Sequence, residues 1–174
     1  WLIALWLIAL GGCAAQYPNQ APIGRVFPAV SGAGLDGTPY RIPDAFTGRS
    51  VVLLIGYRQD SQFDIDRWLI GLDMTATRVD VYELPTIAGM FPRMFKTQID
   101  DGMRAGIPKD LWKGVVTVYA DGALVQAFTG NESPNNARVL LLDPQGRVTF
   151  FHDQGFSVDA LNMLRAALAV VDSP

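Results

Sequence analysis

The chain is poor in the side chains that usually carry chemistry. Its 174 residues include one cysteine, Cys13, and one histidine, His152. A single thiol excludes a disulfide within the chain, a Cys-x-x-Cys redox pair and any metal site built on several thiolates. One imidazole is too few for a transition-metal site, which gathers several N or S donors, so no metal or other cofactor is expected. Basic residues are scarce as well: 14 Lys and Arg against 17 Asp and Glu give a net charge of −3, with no basic cluster. Nothing therefore neutralises a phosphate backbone or holds an anionic membrane by charge, and nucleic acid is not an expected partner. Nor does any apolar run reach the roughly 20 residues that a bilayer-spanning helix needs.

What is present fits one globular domain. With 49% hydrophobic and 18% charged residues, a chain of this length buries about two-thirds of its unfolded surface. Trp1 to Leu10 is an unbroken apolar run with the length of a secretory h-region. No Met or basic stretch stands in front of it, so a few residues are expected to precede Trp1. Leu10-Gly11-Gly12-Cys13 follows at once and resembles the lipobox of bacterial lipoproteins. That resemblance implies removal of residues 1–12 as a signal peptide, acylation of Cys13, and a protein held by lipid on the periplasmic side of the cell envelope. Acyl chains contribute about 0.8 kcal/mol per buried methylene, so two or three anchor firmly. Ala14 is not the acidic residue that in some bacteria retains lipoproteins at the inner membrane, which points to the outer one. The other reading is an ordinary small-residue cleavage site with a chance cysteine; the order of apolar run, small residues and Cys favours lipidation.

Residues 13–24, Pro-rich and without apolar period, are expected to form a flexible tether, and 25–174 the domain. "RVFPAVSGAGLDGTPYRIP" reads as an edge hairpin turning at Asp36-Gly37, with Pro28, Pro39 and Pro43 keeping it at the sheet margin. Gly32, Gly34 and Gly37 match a dinucleotide-binding G-x-G-x-x-G, but the Asp-Gly turn and Pro39 prevent the helix that motif must open. Ser50 to Tyr57 is a nearly continuous apolar run, expected as a strand covered on both faces. Ser61 and Asp64 have capping-box spacing, and Ile65, Trp68, Leu69 and Leu72 follow at helical period. "TRVDVYELP" alternates in period two, completing a parallel βαβ unit. Phe91, Phe95, Ile99 and Met103 share a helical face, with Pro92 in the first turn and Gly106-Ile107-Pro108 at the end. "GVVTVYAD" predicts a third strand. "ARVLLLDPQGRVTFF" predicts two strands around a type I turn, and a last helix starts at Ser157 with Leu161, Leu164, Leu168 and Val171 inward.

This order of elements, with "LDG" and "GRSVVLL" in the segment Phe27 to Tyr57, resembles the peroxiredoxin and thiol-reductase branch of the thioredoxin-like superfamily. Beyond Tyr57 the Trp68 helix, "VDVYELP", "MFPRMFKTQIDDGMRAGIP" and "VLLLDPQGRVTF" are most similar to the thioredoxin-like assembly factors of the mitochondrial ATP synthase membrane sector. The resemblance covers about Val26 to Val170. It implies an α/β fold, a three-layer α/β/α sandwich with a central mixed sheet and the hairpin at its N-terminal edge.

The departures bear on function. Thioredoxin-like enzymes carry one or two cysteines in the turn after the first core strand, their thiolates stabilised by the helix N-terminus. Here that turn holds Arg58, Gln59, Asp60, Ser61 and Gln62. The resemblance also implies a cis-proline opening the strand "VLLLD"; this chain has Ala137 and Arg138 there. Copper-carrying relatives would need two cysteines and a histidine. A protein without redox activity is therefore expected, working by binding a protein partner in the envelope as an assembly factor or scaffold; the alternative is a ligand-binding protein or thiol-independent enzyme. Arg58, Gln59, Asp60 and Arg138 are the candidate binding residues, set against a plain surface ion pair worth well under about 1 kcal/mol. His152 reads as an acid or base, or as a strand-end histidine bonded to backbone. Asp60, Asp64 and Asp66 read as helix N-terminal carboxylates before a calcium site, and Asp100-Asp101 as a solvated helix face. Phe91, Met94, Phe95 and Met103 offer a docking stripe or core.

Overall fold

Val51–Gly56 has no polar side chain, and a strand of that composition must be walled on both faces. The computed structural model, which describes residues 17–87 and 94–171, places it at the centre. In chain order the elements are β1 (Val30–Gly34), β2 (Pro39–Ile42), β3 (Val51–Gly56), α1 (Gln62–Met74), β4 (Asp80–Pro85), α2 (Lys96–Gly106), β5 (Val116–Thr117), α3 (Gly122–Thr129), β6 (Arg138–Leu142), β7 (Val148–His152) and α4 (Val158–Val171). The sheet order β4-β3-β6-β7 is mixed: β3 runs parallel to β4 and antiparallel to β6, and β7 antiparallel to β6. The hairpin β1-β2 joins through β5, which pairs with β1 and whose flanking residues bridge to the β4 segment at Glu83↔Val115 and Thr86↔Val118.

Because side chains alternate along a strand, β3 feeds two cores. Val51, Leu53 and Ile55 meet Phe27, Val30, Phe46, Val125 and Phe128 on the side of the hairpin and α3. Val52 and Leu54 meet Trp68, Leu72, Leu161 and Leu164 on the side of α1 and α4. The result is the expected three-layer α/β/α sandwich with a central mixed sheet. Other local expectations hold for local reasons. Gly146 closes the β6–β7 turn at φ 76°, with the Asp143 carboxylate accepting the N–H of Gln145 and of Arg147. Ser157 Oγ accepts the Ala160 N–H at 3.1 Å and starts α4. Gly32 and Gly34 lie in β1, where a Cβ on Gly32 would stand 2.6 Å from Val116.

Several expectations are corrected. The strand read from "GVVTVYAD" contracts to Val116–Thr117, because the chain bends at 119–121 and enters α3, a two-turn helix without a side-chain cap that the sequence did not announce. Asp121, the residue before it, instead accepts the Ser31 N–H at 2.8 Å. Residues 17–24 do not behave as tether: Asn131 N–H donates to Tyr17 O (2.7 Å), Gln20 N–H to Thr129 O (3.3 Å) and Gly24 N–H to Val148 O (2.8 Å), so this segment is laid along the domain. Ser61 caps nothing with its side chain, and Asp64 reaches elsewhere. Asp100 is buried and accepts the Tyr119 hydroxyl at 2.8 Å, leaving only Asp101 solvated, beside Arg104. The apolar run Trp1–Leu10, Cys13, Phe91 and Pro92 lie outside the described residues. Among the described residues no helix is long and apolar enough to cross a membrane.

Gly130 carries the contact with residues 17–20. Its φ is 78°, and a Cβ there would lie 2.3 Å from Asn19 Cα and 2.6 Å from Pro18 O. Gly130→Ala is therefore expected to cost more than about 1 kcal/mol in a denaturant titration and to expose residues 17–24 to limited proteolysis; an unchanged midpoint would contradict the packing described.

Candidate functional site

β3 delivers the chain to a tight turn. At Gly56 a Cβ would stand 2.5 Å from Ser61 Oγ, so the turn folds directly back over the strand end. The Ser61 hydroxyl donates to Arg58 O at 2.6 Å and its N–H to the same oxygen at 3.1 Å, forming the 3-10 turn Gln59–Ser61 that leads into α1. Ser61 is buried and its proton is committed to a carbonyl, which disqualifies it as an activated nucleophile. Arg58, Gln59 and Asp60 point outward and are exposed.

Arg138 opens β6 opposite Ile55 and is 0% exposed. Its Nε donates to Gly130 O (3.3 Å), and its Nη1 to Ser133 O (2.5 Å) and Asn136 O (2.8 Å). The guanidinium lies 5.4 Å from the centroid of the Tyr57 ring, while among the described residues Nη2 has no hydrogen-bond partner. Burial pulls the guanidinium down from its usual pKa, against the opposing attraction of Tyr57 and Asp153, and as an arginine it stays charged. Tyr57 is bonded to Thr129 Oγ1 at 2.6 Å, and burial pushes its phenol up. The four candidate residues thus divide. Arg58, Gln59 and Asp60 stand together on the turn; Arg138 is buried against Tyr57, and among the described residues it pairs with neither Arg58 nor Asp60.

Asp64 closes the segment before β6. Its Oδ2 accepts the Ala137 N–H at 2.9 Å and its Oδ1 the Phe156 N–H at 2.7 Å. With Asn136 O held by Arg138 and Asn136 N–H donated to Ser133 O, the backbone of residues 136–137 is largely spent inside the domain. Sequence reading missed this role, although a signal existed: Asp64 shares the helical face of Trp68 and Leu72 and so had to point inward. Beside the turn, Gln62 Nε2 donates to Glu83 Oε2 (3.2 Å) and Asp66 Oδ1 (2.9 Å). Burial pushes the Glu83 carboxyl up, Asp66 adds to that, and the Gln62 bond opposes it. His152 shares a 2.7 Å hydrogen bond with Gly155 O, packed between Phe150 and Trp68, which is the backbone-bonded alternative for that residue. Among the described residues no three His, Cys, Asp or Glu side chains gather as a metal site requires.

No protein-family model matches the chain, and no curated protein is similar to it in sequence. Solved structures are similar in shape. A Sco/SenC family lipoprotein from Bacillus anthracis aligns with TM-score 0.58 at 10% identity, over 88% of this chain and 99% of that one. The thioredoxin domain of a thiol-disulfide oxidoreductase from Bacteroides vulgatus gives 0.53 at 19%, over 88% and 100%. An exposed lipoprotein thioredoxin from Streptococcus pneumoniae gives 0.52 at 14%, over 80% and 98%. The fold is thioredoxin-like. Similarity at these identities speaks to fold alone. Within that fold the β3–α1 turn Arg58–Ser61 is free of sulfur, and β6 opens on a buried arginine.

Two variants test this description. Arg138→Met removes the donor to three carbonyls, at roughly 1–3 kcal/mol for a buried group left unpaired; the denaturation midpoint should fall and the 130–137 loop should gain protease sensitivity. For Glu83 the folded-state pKa lies above the unfolded one, so its charged form lowers stability, fully above the folded pKa and not at all below the unfolded one. Glu83→Gln is expected to raise the thermal midpoint at neutral pH, with the gain shrinking as pH falls through the carboxyl range.

Proposed function

We propose that the chain is a lipid-anchored, periplasm-facing envelope protein that works by binding another protein, as an assembly factor or scaffold for a membrane or envelope complex, without thiol redox chemistry. The observation that carries this reading is the state of the β3–α1 turn: it holds no sulfur, its one buried hydroxyl is tied to Arg58 O, and the segment before β6 is closed by Arg138 and Asp64. What remains outward at this end is shape and charge: Arg58, Gln59, Asp60 and the adjacent Phe63, which is 71% exposed. Such side chains recognise a surface. They offer no activated nucleophile and no matched acid and base. The lipobox-like Leu10-Gly11-Gly12-Cys13 is the ground for proposing the anchor, and the resemblance read from the segments beyond Tyr57 is the ground for proposing this class of task.

The alternative, a small ligand or thiol-independent chemistry at the turn, has only exposed side chains to work with, since the Ser61 hydroxyl is committed and Arg138 is fully buried. Two measurements test the proposal. The purified protein should neither reduce nor oxidise a dithiol substrate. The intact lipoprotein, immunoprecipitated from solubilised membranes, should bring down a discrete partner that Arg58→Glu weakens and Gln145→Glu, in the turn at the far end of β6, leaves in place. Thiol–disulfide exchange, or no partner from the intact protein, overturns it.

A further inference from the structure

We infer that the domain stands with its β3–α1 turn toward the membrane, and that the partner is an integral membrane protein met at the bilayer surface. This rests on the lipid anchoring at Cys13 proposed above. The structural observation is where the chain first joins the domain. Tyr17 O accepts the Asn131 N–H at 2.7 Å and Gln20 N–H donates to Thr129 O; Thr129 Oγ1 in turn is 2.6 Å from the Tyr57 hydroxyl, at the C-terminal end of β3. Residues 17–20 therefore flank the same end of the sheet as the turn, and the chain runs from there to the opposite end, where Gly24 N–H meets Val148 O. Only residues 14–16 separate Cys13 from Tyr17, and four extended steps reach at most about 14 Å. A 12-residue tether would have let the domain tumble; one this short holds the turn end near the lipid.

That end is also where apolar side chains stand in water. Phe63 opens α1, Phe95 (49% exposed) precedes α2 beside Tyr119, whose hydroxyl reaches Lys96 O, and Val158 (65% exposed) opens α4 just after Phe156, whose N–H is held by Asp64. Charge decides between lipid and protein as the surface they meet. Among the described residues, Arg58, Arg67 and Lys96 are offset here by Asp60, Asp66, Glu132 and Asp159, so the described part of this end lacks the basic excess that draws a domain onto anionic headgroups. Exposed aromatic and aliphatic side chains with mixed charge are the composition of a protein interface core and rim.

The test places a photoreactive phenylalanine analogue at Phe63, and separately at Gln145 in the β6–β7 turn, in the full-length lipoprotein in native membranes. Illumination is expected to give an adduct with a carbonate-resistant membrane protein from position 63 and not from 145. Inserting about 20 Gly/Ser residues after Ala15, with ends roughly 25 Å apart on average, frees the orientation and should cut the adduct severalfold. Adducts with phospholipid alone, equal adducts from 145, or no effect of the spacer would overturn the inference. So would the absence of labelled palmitate on Cys13. A partner recovered by immunoprecipitation but cross-linked only from 145 keeps the binding function and sinks the orientation alone.

Discussion

A strand buried on both faces leaves its ends as the only places where chemistry can meet solvent. Val51–Gly56 is such a strand, and the rest of the molecule follows from covering it: α1 and α4 on one side, the hairpin and α3 on the other. The helix that covers one face must start immediately beyond the strand, so the turn between them is short and its residues stand at a helix N-terminus. In thiol proteins that position stabilises a thiolate. Here the same geometry holds Gln59 and Asp60, and the helix N-terminus has no nucleophile to activate.

The buried charges show how the fold compensates around that end. Among the described residues Arg138 has no hydrogen-bonded carboxylate partner; three carbonyls from the 130–136 loop take its place, and the Tyr57 ring covers it. Asp64 likewise has no cation partner among the described residues, and it is satisfied by two backbone N–H groups from distant segments. Each ion is thus held by backbone dipoles of the loops it organises, which converts a desolvation cost of several kcal/mol per ion into loop rigidity. Loops fixed in this way cannot lend their main chain to an added strand, so recognition at this end falls to side chains.

Much of the architecture was legible because its signals are local. The unbroken run of β3, the period-two β4, the Asp-Pro-Gln-Gly turn and the Ser157 start each specify their element from neighbouring residues. What was not legible depends on partners far away in the chain. α3 has eight residues and no side-chain cap, and its apolar side chains become a helix face only against Phe27 and the β3 side chains. Tyr17–Gly24 looks like a tether because its bonds are made by backbone to Thr129, Asn131 and Val148, which composition does not reveal. Asp100 and Arg138 look like surface charges until Tyr119 and the 130–136 loop are in place. The candidate site was legible as a location, the turn after β3, but its grouping of Arg58 with Arg138 rested on proximity of loops and ignored which way each side chain is buried.

The docked N-terminal segment and the sparse exposed surface at the turn belong to one energetic argument. Stable, freely diffusing complexes bury about 20–30 residues a side, more than the outward side chains named at this end. Confinement changes what is needed. If the domain is lipid-anchored as proposed, it meets a membrane-embedded partner at a high effective concentration, and the linkage adds affinity without adding contacts. A short anchor also removes orientations in advance, lowering the rotational entropy lost on docking. On the proposed anchoring, the contact between Gly130 and residues 18–19 does more than seal the fold: it fixes residues 17–20 at the turn end of the sheet and so favours presentation of that end.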